Sequence, residues 1–284
     1  MYLCPSTITI AEMNFKSKVK AFYKGIVFNL SASNSLIFTF YYSVLYKPEI
    51  NSLDDFTDRF SKITGKVLIV QIGANDGINN DPIHKFIKRD HWHGVLLEPQ
   101  KFVFEKYLKP LYRKTKGITL LNAALDYNDG YKPIYKIAIS NSRWATGLTS
   151  FNRKILEEAV KSGYIERQAR KEGCPLPENK DEFIAEESVE CISTETLLKR
   201  AGIERTDWLQ IDTEGFDFEI IKMFNIGVNR PTVIVYENLH LSQTDREECI
   251  NHLRIKGYVS RDYGANTLAM RNPPEILMEF FNHY

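Results

Sequence analysis

An early apolar run of this chain ends in glycines, and the next apolar run ends in a carboxylate. Val67–Val70 leads into Gly73, Asn75 and Gly77, and the later run GVLLEPQ contains Glu98. Glycines after a buried strand allow a tight turn and the close approach of a ligand, and an acidic residue about 20 positions further on can bind ribose hydroxyls. The spacing predicts a site for an adenosine-containing cofactor.

The helix after this turn should complete the cofactor site. It is predicted to begin near Asp81 and Pro82, which would direct its N-terminal N–H groups at the ligand. Asp76, inside the turn, is expected to belong to the same site. The competing interpretation is an α/β protein whose strand ends carry ordinary turn glycines and a solvated glutamate.

Polar residues also follow the later buried strands, which are predicted at 118–121, 208–211 and 232–236. The residues concerned are Asn122, Ala123, Asp212, Glu237, Asn238 and His240. The first two suit an adenine edge, and Asp212 is expected to serve both cofactor and chemistry. Any one of them could be a capping or solvated residue, but the set together predicts a functional site at one sheet edge.

Strands and helices alternate from Lys66 onward, with a last strand at 267–270. Such alternation predicts a doubly wound, mostly parallel α/β sheet with helices on both faces and ligands at the carboxyl ends of the strands. Residues 1–60 are interpreted as a helical N-terminal extension, and 61–284 as the main domain. An insertion that breaks this alternation is expected at about 140–190, with a charged, helical segment over residues 147–173 and a proline-containing loop at 174–177. Trp144–Phe151 within the insertion is predicted to be either a carbohydrate-facing lid or a structural loop.

Five segments together resemble the FkbM family of S-adenosylmethionine-dependent methyltransferases. They are QIGANDG, LLEPQ, LNAALD, LQIDTEGFDFEIIK and VIVYENLHL, in the family's order and spacing over roughly residues 66–271. The resemblance implies a class I methyltransferase (Rossmann-like) sheet whose last strand is antiparallel. It also implies S-adenosylmethionine as cofactor and methylation of a hydroxyl on a sugar, glycan or secondary metabolite.

Methyl transfer to a hydroxyl needs in-line positioning and removal of the hydroxyl proton. Asp212, Glu237 and His240 are the candidate catalytic residues. Asp212, Glu237 and Asn238 could instead hold a divalent cation, since hard cations prefer carboxylate and amide oxygens. Direct hydrogen bonding of these groups to substrate hydroxyls is the preferred interpretation, and the general base stays undecided among the three.

Composition and the N-terminal sequence limit the partners and the location that can be expected. The 37 Lys and Arg residues balance 36 Asp and Glu residues, so a basic surface that would bind nucleic acid is not expected. The four cysteines form no CxxC pair, which favours reduced cysteines and a cytoplasmic protein. Residues 25–46 lack charge and follow four lysines, as in a membrane anchor, but their many polar groups make spanning costly. A homo-oligomer interface is therefore preferred there, formed by Phe38, Phe40, Tyr41, Tyr42 and Tyr46.

Two other functions remain open. A nicotinamide-dependent oxidoreductase would use the same kind of fold, but Asn75 interrupts its glycine fingerprint and no tyrosine–lysine catalytic pair is evident. A non-catalytic binding module on a vestigial cofactor fold is the third possibility. The intact Gly73, Gly77, Glu98 and Asp212 weigh against that.

Overall fold

A computed structural model of the chain describes the backbone of residues 15–282 and the side chains of residues 22–282. The first part of the predicted extension, residues 1–14, lies outside the described residues. A seven-stranded sheet forms the centre of the described chain, and a three-stranded sheet lies beside it.

The strands and their order match the predicted architecture. The strands are β1 (Leu68–Ile72), β2 (His93–Leu97), β3 (Ile118–Leu121), β4 (Ala124–Leu125), β5 (Gly130–Ile137), β6 (Ile184–Ile192), β7 (Trp208–Ile211), β8 (Val233–Glu237), β9 (Tyr258–Tyr263) and β10 (Asn266–Arg271). The large sheet has the order β3-β2-β1-β7-β8-β10-β9, and only β10 runs antiparallel to its neighbours. The predicted mostly parallel sheet with an antiparallel last strand is confirmed.

Helices cover both faces of this sheet. They are α1 (Phe15–Ala32), α2 (Leu36–Phe40), α3 (Leu53–Thr64), α4 (His84–Arg89), α5 (Lys101–Val103), α6 (Lys109–Tyr112), α7 (Arg143–Thr146), α8 (Arg153–Lys161), α9 (Tyr164–Glu172), α10 (Thr194–Ala201), α11 (Asp217–Met223), α12 (Gln243–Ile255) and α13 (Glu275–Met278). Two π-helical turns (Tyr41–Leu45, Phe104–Leu108) and two 3₁₀ turns (Lys180–Phe183, Glu279–Phe281) complete the list.

The strands at the centre are buried on both faces, as an unbroken apolar run requires. Val70 and Ile72 of β1 pack into one hydrophobic cluster with helices α10, α11 and α12, whereas Ile69 packs into a second cluster on the opposite face. Successive residues of a strand point to opposite faces, so both clusters draw on the same short runs. This double burial fixes the strand ends that carry the candidate site.

The insertion at 140–190 is only partly helical. Helices α7, α8 and α9 lie there as expected, but Ile184–Ile192 is a long strand, β6, that pairs antiparallel with β5 and forms the smaller sheet with β4. No strand is predicted from the sequence at IAEESVECI. Exposed Glu186 and Ser188 alternate with less exposed neighbours, and Val189, Cys191 and Ile192 at the end of the strand are buried. The alternation in exposure has the two-residue period of a half-buried strand.

The N-terminal extension is helical where it is described, and it is continuous with the domain. Phe56 and Phe60 of α3 pack against Trp208 of β7, with ring centroids 6.1 and 5.5 Å away. Helix α3 spans the predicted boundary at residue 60, so this part of the extension belongs to the core. No helix among the described residues is both long and apolar enough to cross a bilayer.

Candidate active site

The turn after β1 is built by close packing against the end of β7. Gly73 has a φ of +80°, and a Cβ placed on it would lie 1.9 Å from the carbonyl oxygen of Asp212. Its N–H donates to the carbonyl of Leu97 at 3.1 Å. The sequence predicts that this glycine leaves space for a ligand, but the backbone of Asp212 fills that space. The absence of a side chain at Gly73 instead allows the ends of β1, β2 and β7 to pack together.

The carboxylate of Glu98 lies buried at the end of β2, with 2% of the residue exposed. Its Oε2 accepts the N–H of Asn75 and its Oε1 accepts the N–H of Gln100, each at 2.8 Å. Burial raises its pKa to about 7 despite these two hydrogen bonds. A carboxylate oxygen can accept two hydrogen bonds, so each oxygen still has capacity for a hydroxyl donor.

Glu98 opens into an inner cavity at the carboxyl ends of the strands. The predicted cofactor residues that line it are Gly73, Asn75, Glu98, Ala123 and Asp212. The start of the insertion closes it, because the side-chain amides of Asn75 and Gln100 donate to the carbonyl of Thr146 at 3.3 and 2.9 Å. The Thr149 hydroxyl is buried in the same wall without a hydrogen-bond partner among the described residues.

Three predicted cofactor residues support the wall instead of lining the cavity. The Asp76 carboxylate accepts the N–H groups of residues 78 and 79, and a Cβ on Gly77 would meet the side chains of Leu108 and Tyr112. The Asn122 amide donates to the carbonyls of residues 98 and 99 at 2.8 and 2.9 Å. These three residues therefore stabilise the conformation of the loops around Glu98.

The helix after the turn begins later than expected and is capped from within. Helix α4 begins at His84, and Oδ1 of Asp81 accepts the N–H groups of Ile83 and His84 at 2.9 Å. The other carboxylate oxygen accepts the amide of Gln71 at 2.9 Å. Because Asp81 occupies these donors, the predicted interaction of the helix N-terminus with a ligand does not occur in this arrangement.

A second, open cavity adjoins the inner one. Asp212 lines both, whereas Glu237 and His240 line only the outer cavity. The residues common to the two cavities are Arg143, Gly147, Asp212 and Glu214. Trp144–Phe151, predicted to be either a lid or a structural loop, borders both cavities. The buried indole N–H of Trp144 has no hydrogen-bond partner among the described residues.

Acidic side chains crowd the shared wall. Burial raises the pKa of Asp212, and the nearby carboxylates of Glu214 and Asp217 raise it further. The pKa of Glu237 is also raised, by burial first and then by Asp212, and its Oε2 is buried without a hydrogen-bond partner among the described residues. The guanidinium of Arg143 opposes both shifts. Like charges in low dielectric favour retention of a proton by the pair.

His240 and Asn238 have different partners from those expected. His240 Nε2 lies 3.1 Å from Oε2 of Glu214, and this contact raises the histidine pKa. The Asn238 amide donates to Thr267 Oγ1 at 3.0 Å, and its Oδ1 accepts from Arg246 at 3.1 Å. Asn238 therefore joins β8 to β10 and α12, and the proposed cation set of Asp212, Glu237 and Asn238 is not assembled.

Three residues central to this geometry were missing from the predicted set. Arg143 comes from the insertion, and Glu214 has a φ of +51°, a strained conformation found often at functional sites. Asp217 is fully buried; its Oδ2 accepts Gly215 N–H and its Oδ1 accepts Glu237 N–H, both at 3.3 Å. The dense acidic segment DTEGFD was the available signal, although nothing in the sequence indicated that Arg143 faces it.

The comparisons with known proteins fit this geometry. The methyltransferase FkbM domain matches residues 71–264, about two thirds of the chain. The chain belongs to the FkbM methyltransferase family. This match confirms the resemblance found in the sequence. No curated protein matches the chain.

Three solved structures are similar at low identity. They are the methyltransferase FkbM from Methylobacillus flagellatus KT (14% identity, TM-score 0.44, 72% of this chain and 44% of that one), the precorrin-6y C5,15-methyltransferase from Geobacter metallireducens GS-15 (12%, 0.36, 79% and 90%) and the delta-N METTL16 methyltransferase domain (10%, 0.38, 79% and 84%). The chain spans less than half the length of the first of these.

Proposed function

We propose that this chain is an S-adenosylmethionine-dependent O-methyltransferase that acts on a hydroxyl of a sugar, glycan or secondary metabolite. The observation that carries the proposal is the wall shared by the two cavities, where Asp212 borders both. A methyl donor in the inner cavity and an acceptor in the outer one would meet beside this carboxylate. Such juxtaposition is the main requirement of methyl transfer.

The inner cavity has the donors and acceptors that the cofactor needs. Glu98 retains capacity for two ribose hydroxyls, and the Ala123 and Ile220 side chains supply apolar surface to the same cavity. The cofactor, when bound, supplies a sulfonium methyl group that needs little activation. Hydroxyls donated to Glu98 would stabilise its ionised form and lower a pKa that burial raises to about 7.

Asp212 is the proposed general base. It would accept the hydroxyl proton as the acceptor oxygen forms its bond to the methyl group and the sulfonium becomes a neutral thioether. Burial and the neighbouring carboxylates raise its pKa to about 8, so the ionised, proton-accepting form of Asp212 increases as pH rises through about 8. Glu237 and His240, which border only the outer cavity, would then position the acceptor.

The outer cavity suits an acceptor with several hydroxyl groups. Its wall has a carboxylate oxygen of Glu237 and an indole N–H of Trp144 that are both buried and unpartnered among the described residues. Hydroxyls both donate and accept, so one polyol can satisfy both groups, and an aromatic side chain beside them suits a sugar face. These features support a sugar-like acceptor over a wholly apolar one.

Calorimetry with S-adenosylhomocysteine tests the cofactor part of the proposal. Glu98→Ala should weaken binding by about 1.5–3 kcal/mol, the usual value for a hydrogen bond to a charged group. Glu105→Ala, an exposed glutamate paired with Lys109, is the matched control and should bind normally. Equal affinity in all three proteins, or stabilisation by NAD and not by S-adenosylhomocysteine, would refute the assignment.

The acceptor part needs a transfer assay. Purified protein with radiolabelled S-adenosylmethionine should label hydroxyl acceptors such as glycosides, and the labelled ether should survive treatment with base that cleaves methyl esters. Label found only on amine or carboxyl acceptors would overturn O-methyl transfer to a hydroxyl while leaving the methyltransferase itself intact.

A further inference from the structure

The N-terminal helices turn apolar side chains toward solvent. Phe22 on α1 is 72% exposed, and Leu36 and Ile37 on α2 are 85% and 68% exposed. The same stretch adds further exposed large apolar residues: Tyr23, Ile26, Phe40, Tyr41, Val44 and Leu45. We call these nine residues the N-terminal apolar surface. Nine exposed large apolar residues within one short stretch of chain are typical of an interaction site.

Polar contacts fix the other side of these helices to the domain. The hydroxyl of Ser31, which is fully buried, lies 3.0 Å from Nε2 of His84, and the amide of Asn34 donates to the carbonyl of Lys114 at 2.7 Å. The ammonium of Lys88 donates in turn to the Asn34 amide oxygen at 2.9 Å. These polar contacts, together with the packing of Phe28 and Ala32 against the core, anchor the helices and leave the N-terminal apolar surface exposed.

Two of the expected interface residues are unavailable for a partner. Phe38 is buried against His84, with ring centroids 5.7 Å apart, and Tyr46 donates a hydrogen bond to Asp54 at 2.5 Å. Tyr42 packs between them, whereas Phe40 and Tyr41 remain on the N-terminal apolar surface. The aromatic residues thus divide between internal packing and an exposed face.

The positive charge of the N-terminal stretch determines which kind of partner can cover the N-terminal apolar surface. Residues 13–48 contain five lysines and no acidic residue. A two-fold contact between copies of this chain would place the same cationic patch on both sides of the interface, which is repulsive. An anionic surface with an apolar interior attracts the lysines and takes up the apolar side chains at the same time.

We propose that the N-terminal apolar surface, with the lysines that flank it, docks on the face of an anionic lipid bilayer. Exposed Phe, Tyr and aliphatic residues beside lysines are the composition of helices that lie in the bilayer interface. The helices would lie on the membrane without spanning it, since no described helix can cross a bilayer. Docking would hold the methyltransferase beside acceptors at that surface.

Cosedimentation of the full chain with lipid vesicles tests the proposal. The protein should bind vesicles of phosphatidylcholine with phosphatidylserine, bind phosphatidylcholine alone far more weakly, and dissociate as salt concentration rises. Reversal of two exposed lysines of the stretch, Lys24→Glu with Lys47→Glu, should lower the partition coefficient by about 100-fold or more. The matched reversal at Lys161 and Lys199, exposed lysines outside the stretch, should leave it within about twofold.

A second set of variants tests the apolar contribution separately. Phe22→Ser, Leu36→Ser and Ile37→Ser together should lower the partition coefficient by about tenfold or more, because they remove apolar area that enters the interface. The control replaces Val228, Ile255 and Ile276, which are similarly exposed elsewhere, with serine. Affinity for S-adenosylhomocysteine should be unchanged in every variant, so the result is independent of the proposed function.

Three outcomes would overturn the proposal. One is absence of binding to phosphatidylserine vesicles in the full chain at low salt. Another is a concentration-dependent dimer in light scattering that the serine variants dissociate, which would assign the surface to a second copy. The third is vesicle binding that appears only after residues 1–14 are removed, which would assign it to this chain's own N-terminus.

Discussion

Two pairs of strand ends carry buried carboxylates, and the two sites hold them differently. At the ends of β1 and β2, Glu98 accepts two backbone N–H groups, and no carboxylate is among the principal causes of its pKa shift. At the ends of β7 and β8, Asp212 and Glu237 face each other and Glu214. Burial raises the pKa values at both sites, but like-charge repulsion adds to it only at the second.

On the proposed function, this difference between the two sites assigns cofactor binding to the Glu98 site and catalysis to the site of Asp212 and Glu237. A carboxylate held rigidly by backbone donors is suited to orient a ligand, since its geometry does not depend on its neighbours' protonation. A crowded group of carboxylates holds and releases protons readily, which suits a general base. Gly73 joins the two sites, because its Cα packs on the Asp212 carbonyl.

Replacement of that glycine should have the largest effect. In Gly73→Val, the new side chain would overlap the Asp212 carbonyl and the residue would have to hold a φ of +80°. We expect a loss of folding stability above about 4 kcal/mol, measured by urea unfolding. Gly257→Val is the control, because its φ is +85° but nothing lies within 4 Å of its Cβ position. Equal losses in the two variants would attribute the whole effect to backbone strain.

Removal of the negative charge of Asp212 should have the next largest effect. Asp212→Asn keeps the side-chain shape but cannot accept the hydroxyl proton, so kcat should fall by about 10²–10⁴-fold. Affinity for S-adenosylhomocysteine, measured by calorimetry, should change by less than about fivefold, and Asp245→Asn on the exposed start of α12 serves as control. A parallel loss of turnover and affinity would place Asp212 in the cofactor site.

The burial of Glu98 should make the free energy of unfolding depend on pH. Its pKa is about 7 in the folded protein against 4.5 ordinarily, so its stabilising contribution is complete below about pH 4.5 and is lost as pH rises through 7. Between about pH 5 and pH 8, the wild type should lose on the order of 3 kcal/mol more unfolding free energy than Glu98→Gln. Parallel pH profiles of the two proteins in urea titrations would contradict this.

Metal removal should have no effect. The ligand atoms of Glu214, Glu237 and His240 lie within 4.8 Å of one another, but His240 already contacts Glu214 and Asn238 is occupied elsewhere. We expect the same methyl-transfer rate with and without EDTA. Activity that EDTA abolishes and Mg²⁺ restores would instead make the crowded carboxylates a cation site.

Local sequence patterns determined most of the main sheet. The apolar runs at β1, β2, β7 and β8 are short, rich in branched residues and bounded by turns, which only strands buried on two faces accommodate well. Glu98 and Asp212 could be located because a residue after a buried strand must lie at the sheet edge. Strand β6 could not be predicted because its sequence, IAEESVECI, does not alternate regularly: two apolar residues and then two glutamates stand side by side.

Contacts between distant segments were decided only by the tertiary structure. Arg143 belongs to an insertion whose sequence gives no sign that it packs beside Asp212 and Glu237. Asn238 follows β8 as the other site residues do, yet its amide bonds to β10 and α12. A strand places its terminal residue at a sheet edge, but the side chain's partners depend on which neighbouring elements pack there, and those elements are far away in the sequence.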